Sequence, residues 1–426
     1  MKSIMVYIKQ LGAIKDSAIE ISPVMLFSGE SGLGKSYLAM LCHYFFYILQ
    51  DAKRINRYIE SKGWNFSEMR NSFRDTGVAI TISKQDFEDW LAADCISYLQ
   101  WMLNNEGLKG ELSIQLPNDI DEDIVVRYEE EILGLVDKED VYIKLYMLDL
   151  TYRIKDGSIE SESPFAFLFR HGLIQNILGD FKNLEDTFVF PPSRGPMLTE
   201  EIIPKTGLYD RYKKTIHKIG RVNPHPETVS ENLRRLLSKI LEGKVDTKDG
   251  EYLYSTEHGE LPISAAAASV REIAPLALLV ERTNISKVAM LIEEPEAHLH
   301  PIKQRMMADI LSCFINAGTY MQITTHSDYF LRRLNELMDL KKLSQRYIEN
   351  TEKYVDICNK LQINSALSVE YNKISAYLLS RRNDGTTQVT KQDIDKGVPF
   401  ASFSQAIDDS LCVGFNIKKY LTDGTI

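Results

Sequence analysis

Cysteine is scarce in this sequence. The 426 residues hold five, at positions 42, 95, 313, 358 and 412, an odd number with no Cys-x-x-Cys among them. This argues against a disulfide scaffold and against a zinc ribbon, and it fits a reducing cytoplasm. Long apolar runs are missing too. The most apolar stretches, 37–49 and 273–280, fall short of the ~18–20 residues that cross a bilayer. Residues 1–9 have no apolar core of signal-peptide length and read as a strand. A cytoplasmic protein without a membrane contact is the expectation. Positive charge is in deficit: 50 Lys and Arg against 60 Asp and Glu give a formal charge of −10. A chain coated in nucleic acid would need the opposite balance. No heptad pattern is sustained, so no long coiled-coil arm is expected. There is no internal repeat and no low-complexity tract.

What is present is an ordinary soluble composition, 44% apolar and 26% charged. At ~100–200 residues per domain, the length suggests two or three domains. Residues 4–27 read as two or three strands, the last fully buried. A glycine-rich loop follows, then a helix over about 35–50. Residues 83–105 have a helical apolar pattern with Ser83 as N-cap. Residues 119–140 hold ten acids and two bases, which reads as a solvated acidic face. Residues 205–248 are the reverse: eleven Lys or Arg against five Asp or Glu, a net +6 that leaves −16 on the remainder. This segment is a candidate lid or arm, and a candidate contact for nucleic acid. Further on, the pattern predicts a strand pair around Glu257-His258-Gly259, a helix over 269–282, a strand over 287–292, a helix over 302–317 and a strand over 320–325. A short β element at 374–379 and 387–390 turns across Asn383-Asp384-Gly385.

Gly29-Glu30-Ser31-Gly32-Leu33-Gly34-Lys35-Ser36 matches G-x-x-x-x-G-K-[ST], between a buried strand and an apolar helix. Glycines let backbone N–H groups turn inward around phosphate oxygens, and the helix start adds partial positive charge. Lys35 can reach the β- and γ-phosphates, and Ser36 can hold Mg²⁺. Val288-Ala289-Met290-Leu291-Ile292 is an apolar strand ending in Glu293-Glu294. In a phosphate-loop protein the first acid holds Mg²⁺ and the second polarises the attacking water. Glu293 is assigned to the metal and Glu294 to the general base. His298 and His300 follow, two residues apart, a poor spacing for zinc. A second buried strand, Gln322-Ile323-Thr324-Thr325, ends at His326, which is a candidate for the γ-phosphate end of the site.

In this order and spacing, residues 29–36, 288–294, 297–301 and 326 resemble ABC-type ATPases of the RecF/SMC and overcoming-lysogenisation-defect branch. They are similar to the stand-alone ATPase subunits of antiphage systems such as Septu, PARIS and some retrons. The resemblance identifies residues 29–36 with Walker A, 288–294 with Walker B, 297–301 with the D-loop and His326 with the switch histidine. It implies an α/β ATPase head with a mostly parallel central sheet, an antiparallel N-terminal β layer and a helical insertion. Residues 1–50 and 251–426 would be the two lobes, and 51–250 the insertion. It also implies ATP and Mg²⁺ as ligands, a homodimer or higher oligomer, and a separate effector protein such as a nuclease or toxin. A RecF-like DNA-repair ATPase and a scaffold that binds ATP with little turnover are the alternatives.

One motif departs from the pattern. The glycine of the family's signature loop is absent from Pro262-Ile263-Ser264-Ala265-Ala266-Ala267-Ala268-Ser269, where Ser269 is the candidate nucleotide contact. Pro191-Pro192-Ser193-Arg194 resembles a strand-end element of these ATPases, which implies for Arg194 a contact to nucleotide or a neighbouring subunit, beside a purely structural role. Asp393-x-Asp395 is the one carboxylate pair in the tail with nuclease-like spacing, and no buried strand precedes it.

Overall fold

The computed structural model describes residues 3–48, 51–64, 79–117, 123–135, 138–147, 150–156, 184–222, 230–248 and 250–399, with short stretches at 167–168, 172, 224, 411–415 and 417–418. The fold is mixed α/β with a large, mostly parallel sheet. The chain divides into two compact units: residues 1–21 with 40–187, and residues 22–39 with 188–426. Among the described residues, no helix is long and apolar enough to cross a membrane.

In the first unit, strand Met5–Leu11 pairs antiparallel with Ile14–Glu20 on one side and with Gly110–Gln115 on the other. This is the expected antiparallel N-terminal layer. Its alternating exposure follows from the period-two alternation of side chains along a strand. The helix predicted over 83–105 runs Lys84–Leu103, with Ser83 accepting a hydrogen bond from Asp86 N. Besides helices, this unit holds a second antiparallel sheet: Ala79–Ile82, Ile124–Leu135, Lys138–Met147 and Leu150–Lys155, in that order. Part of the acidic stretch 119–140 lies outside the described residues. A buried Arg54–Asp94 ion pair, 2.8 Å long, is completed by Tyr44 donating to Asp94 at 2.9 Å. Each charge there has a partner, as burial demands.

The second unit is built on six strands in the order Thr387–Lys391, Ile374–Arg381, Val24–Gly29, Tyr320–Thr324, Val288–Glu293, Asp186–Phe190. The four from Ile374–Arg381 to Val288–Glu293 are parallel, and Thr387–Lys391 is antiparallel to its neighbour. Val24–Gly29 and Val288–Glu293 are buried along their whole lengths. That is why their sequences read as continuous apolar runs and do not alternate. The 374–379 element predicted as a local hairpin is therefore also a central strand beside Val24–Gly29.

Helices pack on this sheet. Lys35–Tyr47 starts in this unit; residues 49 and 50, to which the sequence pattern extended it, lie outside the described residues. Helix Ala268–Arg282 contains Pro275, which removes one backbone donor from the ladder. Helix Pro301–Ala317 begins with Pro301 at its first position and ends at Gly318 in the left-handed conformation. His300 is its N-cap, its side chain accepting from Ile302 N.

The basic segment 205–248, expected as a lid or arm, forms helices Gly207–Arg221 and Glu231–Leu241 and strand Lys244–Lys248. Leu208, Tyr212, Ile216 and Ile219 lie buried at helical spacing, as do Leu233, Leu237 and Ile240. Most of these side chains belong to the unit's main apolar core. Several cations on the opposite faces are paired: Lys214 with Asp210, Arg235 with Glu231, Arg234 with Glu281. In the tail, Asp393 caps a short turn and pairs with Lys396, with both side chains exposed.

Candidate active site

Three parallel neighbours end at the same edge of the sheet: Val24–Gly29, Tyr320–Thr324 and Val288–Glu293. Their C-terminal ends deliver the phosphate loop, His326 and the Glu293–Glu294 pair. The crevice beyond the carboxyl ends of parallel strands is where such sheets place ligands.

The phosphate loop follows from its glycines. Gly29, Gly32 and Gly34 have φ of 130°, 76° and 94°, a region that costs other residues dearly. At Gly29 space is decisive as well, since a Cβ would stand 2.3 Å from the Leu379 carbonyl oxygen. Glu30, Ser31 and Gly32 form the exposed tip, while Leu33 anchors the loop in the core.

Lys35 is buried and folds back over the loop. Its Nζ donates to the carbonyl oxygens of Gly29 at 3.0 Å and Glu30 at 2.6 Å, and lies 3.4 Å from His326 Nδ1. Burial pushes its ammonium down to about 8, although Glu294, Glu296, Glu293 and Glu30 pull the other way. Ser36 donates to Glu293 Oε2. The other oxygen of Glu293, Oε1, is buried with no hydrogen-bond partner. Burial pushes this carboxyl up to about 7 and Glu294 adds to the rise, while Ser36 and Lys35 oppose it.

An acceptor oxygen with no donor, beside a serine hydroxyl at the start of a helix, is the donor set of a hard divalent cation. The residues present therefore fit Mg²⁺, with Ser36 and Glu293 to hold it.

Glu294 turns out of the strand with φ of 46°, and its N–H donates to the Thr324 carbonyl oxygen at 3.0 Å. Its Oε1 lies 3.4 Å from His326 Nε2. The imidazole thus spans Lys35 and Glu294. Burial and the neighbouring Lys35 hold it below the usual histidine range, with Glu294 opposing. An ammonium can only donate, so the arrangement fits a neutral ring accepting at Nδ1 and donating from Nε2 to the carboxylate.

Ser269 is half-buried in the first turn of helix Ala268–Arg282, after the uncapped Ala267. The hydrogen bonds that join Lys35, Ser36, Glu293 and His326 do not include it. Arg194 is buried, and its guanidinium goes to backbone of its own chain. Nη1 donates to the Glu293 carbonyl oxygen and Nη2 to that of Glu294, each at 3.3 Å. Of the two roles considered for it, the structural one matches this placement. The sequence reading missed its partner, Glu272, which accepts from the N–H groups of Arg194 and Gly195 at 2.7 and 3.0 Å. It also left Glu296 without a role. A carboxylate two residues beyond Glu294 was visible, but its target, the backbone of His326, was not.

Residues 175–331 match the family model of the AAA ATPase domain. The AAA ATPase match takes in Arg194, Glu272, Glu293, Glu294, Glu296 and His326, and the phosphate loop lies outside it. It supports an ATP-binding ATPase. No curated protein matches the chain. Among solved structures, the chain is similar at 11% identity to the SMC head domain from Thermotoga maritima, covering 92% of this chain and 100% of that one with a TM-score of 0.33. It is also similar, at 11% identity, to an Smc head domain with an extended coiled coil bound to the C-terminal domain of ScpA derived from Pyrococcus furiosus; that match covers 96% of this chain and 100% of the other, with a TM-score of 0.37.

Proposed function

We propose that this chain is a Mg²⁺-dependent ATPase that works as a switch. The observation that carries the reading is the convergence of Lys35, Ser36, Glu293, Glu294 and His326 at the ends of three adjacent parallel strands, with one buried Glu293 oxygen left open. The backbone N–H groups of residues 29–36 and the Lys35 ammonium would hold the phosphates. Ser36 and Glu293 would hold the cation, which when bound would neutralise negative charge on the phosphates. Glu294 would take the proton of the attacking water as general base. His326, donating from Nε2, would keep the Glu294 carboxylate oriented. Ser269 would serve nucleotide bound by a second copy.

The wider reading follows the motif resemblance. The ATP-bound chain would pair with a second copy or form a higher oligomer. It would then control a separate effector protein in antiphage defence, in the cytoplasm.

Two substitutions test the chemistry. Lys35→Ala should abolish ATP binding. Glu294→Gln should keep binding and lower turnover by about 10²–10⁴-fold. Unchanged turnover in Glu294→Gln would remove the base assignment, and binding without turnover in the parent chain would leave a nucleotide-binding scaffold. A pull-down from the native host tests the effector.

A further inference from the structure

The site depends on where the His326 ring stands, and the ring reaches Lys35 and Glu294 only at 3.4 Å each. Its backbone is held far more tightly. Glu296 Oε1 accepts from His326 N at 2.7 Å and from Thr325 Oγ1 at 2.7 Å. Thr325 Oγ1 in turn accepts from Ser327 N at 3.1 Å, and Thr325 N donates to the Phe27 carbonyl oxygen at 3.1 Å. Three consecutive residues, 325 to 327, are thus pinned through one carboxyl oxygen and one strand.

Glu296 is 6% exposed, and its second oxygen, Oε2, is buried with no partner. Among the described residues no cation forms a salt bridge with it in the way Arg194 does with Glu272, although its charge acts on Lys35. Burying an unpaired carboxylate is costly, and burial raises this carboxyl above its usual range. What this carboxyl does at close range is accept two hydrogen bonds through Oε1.

We infer that Glu296 is the positioning residue of His326, fixing the backbone of residues 325–327 so that the imidazole bridges Lys35 and Glu294. This rests on the ATPase reading above and adds to it the group that presets the histidine. Displacing a reacting group by about 1 Å can cost on the order of 10²-fold in rate.

The test uses the full chain with Glu296→Gln, Glu296→Ala and Glu296→Asp. Gln keeps an acceptor oxygen in place, Ala removes it, and Asp draws it back by one methylene. ATP turnover should fall by about 10–100-fold in Ala, with KM changed by less than about threefold, while Gln stays within about threefold of the parent. Asp, chosen in case Ala does not fold, should fall in the same direction by less. The second readout is the nitrogen NMR signature of the His326 tautomer, assigned by its loss in His326→Asn. It should change in Ala and Asp and persist in Gln. Parent-like turnover and an unmoved His326 signature in folded Ala or Asp would overturn the proposal. So would a loss in Gln as large as in Ala, which would make charge the operative property. If the parent chain has no turnover, the ATPase reading fails by itself, and the His326 signature still decides the role of Glu296.

Discussion

Arg194 grips the carbonyl oxygen of Glu294, the residue assigned as base, through Nη2 at 3.3 Å, while Nη1 holds that of Glu293 at the same distance. The rest of the guanidinium, at Nε, lies 3.4 Å from Glu272. The planar fork fits two successive carbonyls, and an ammonium does not. Arg194→Ala strips Glu272 of its buried counter-ion and should cost about 3–5 kcal/mol, read by urea unfolding. Arg194→Lys should regain part of that stability and still lower turnover. A lysine variant with parent-like kcat would show that the clamp does not set the carboxylates.

Glu293 makes stability depend on pH. Its carboxyl is raised from the ordinary range to about 7 in the folded chain. The stabilisation is therefore complete below an unfolded value of about 4.3 and is lost as pH rises through about 7. In the absence of divalent cations, the parent should unfold at lower urea at pH 8 than at pH 5. Glu293→Gln should flatten that slope and stabilise the chain at pH 8 by on the order of 1–3 kcal/mol, while losing Mg²⁺-dependent turnover. Equal slopes in the two chains would contradict the assignment.

Lys35 should set an upper pH limit for nucleotide binding. Its ammonium titrates at about 8 because it is buried. The charged form is the one that would meet phosphate, so ATP affinity should fall as pH rises through about 8, by up to about tenfold per unit. A titration of a fluorescent ATP analogue from pH 7 to 9.5 reads this directly. A flat affinity over that range would place the lysine outside the phosphate contact.

The glycines of the phosphate loop should differ in cost. Gly29→Ala meets the Leu379 carbonyl at 2.3 Å and a φ of 130°, so the strand ends must separate. Its unfolding free energy should drop by more than about 3 kcal/mol. Gly32→Ala meets nothing within 4 Å and carries only the strain of φ 76°, about 1–2 kcal/mol. If both variants unfold alike, conformational strain rather than the Leu379 contact governs the loop.

Much of this protein was legible residue by residue. The strand–loop–helix at 24–47 has its own local logic, because glycines permit the turn and an apolar run demands burial. The same holds for Val288–Glu293, whose six buried residues have no polar alternation to disguise them. The helices at 207–221 and 231–241 show a further limit. Their apolar spacing was readable but their charge pairing was not, since sequence does not reveal that Arg234 meets Glu281, 47 residues away.

The sequence by itself determined the local chemistry: which residues can cradle phosphate, which carboxylates end a buried strand and which histidine ends the next. Only the tertiary structure decided how these are held. Arg194 and Glu272 are 78 residues apart, Glu296 and His326 30 apart, and Ser36 and Glu293 257 apart. No periodicity encodes such pairs. They come into being when parallel strands fall into register and burial forces each polar group to find a partner or, as with Glu293 Oε1, to remain open.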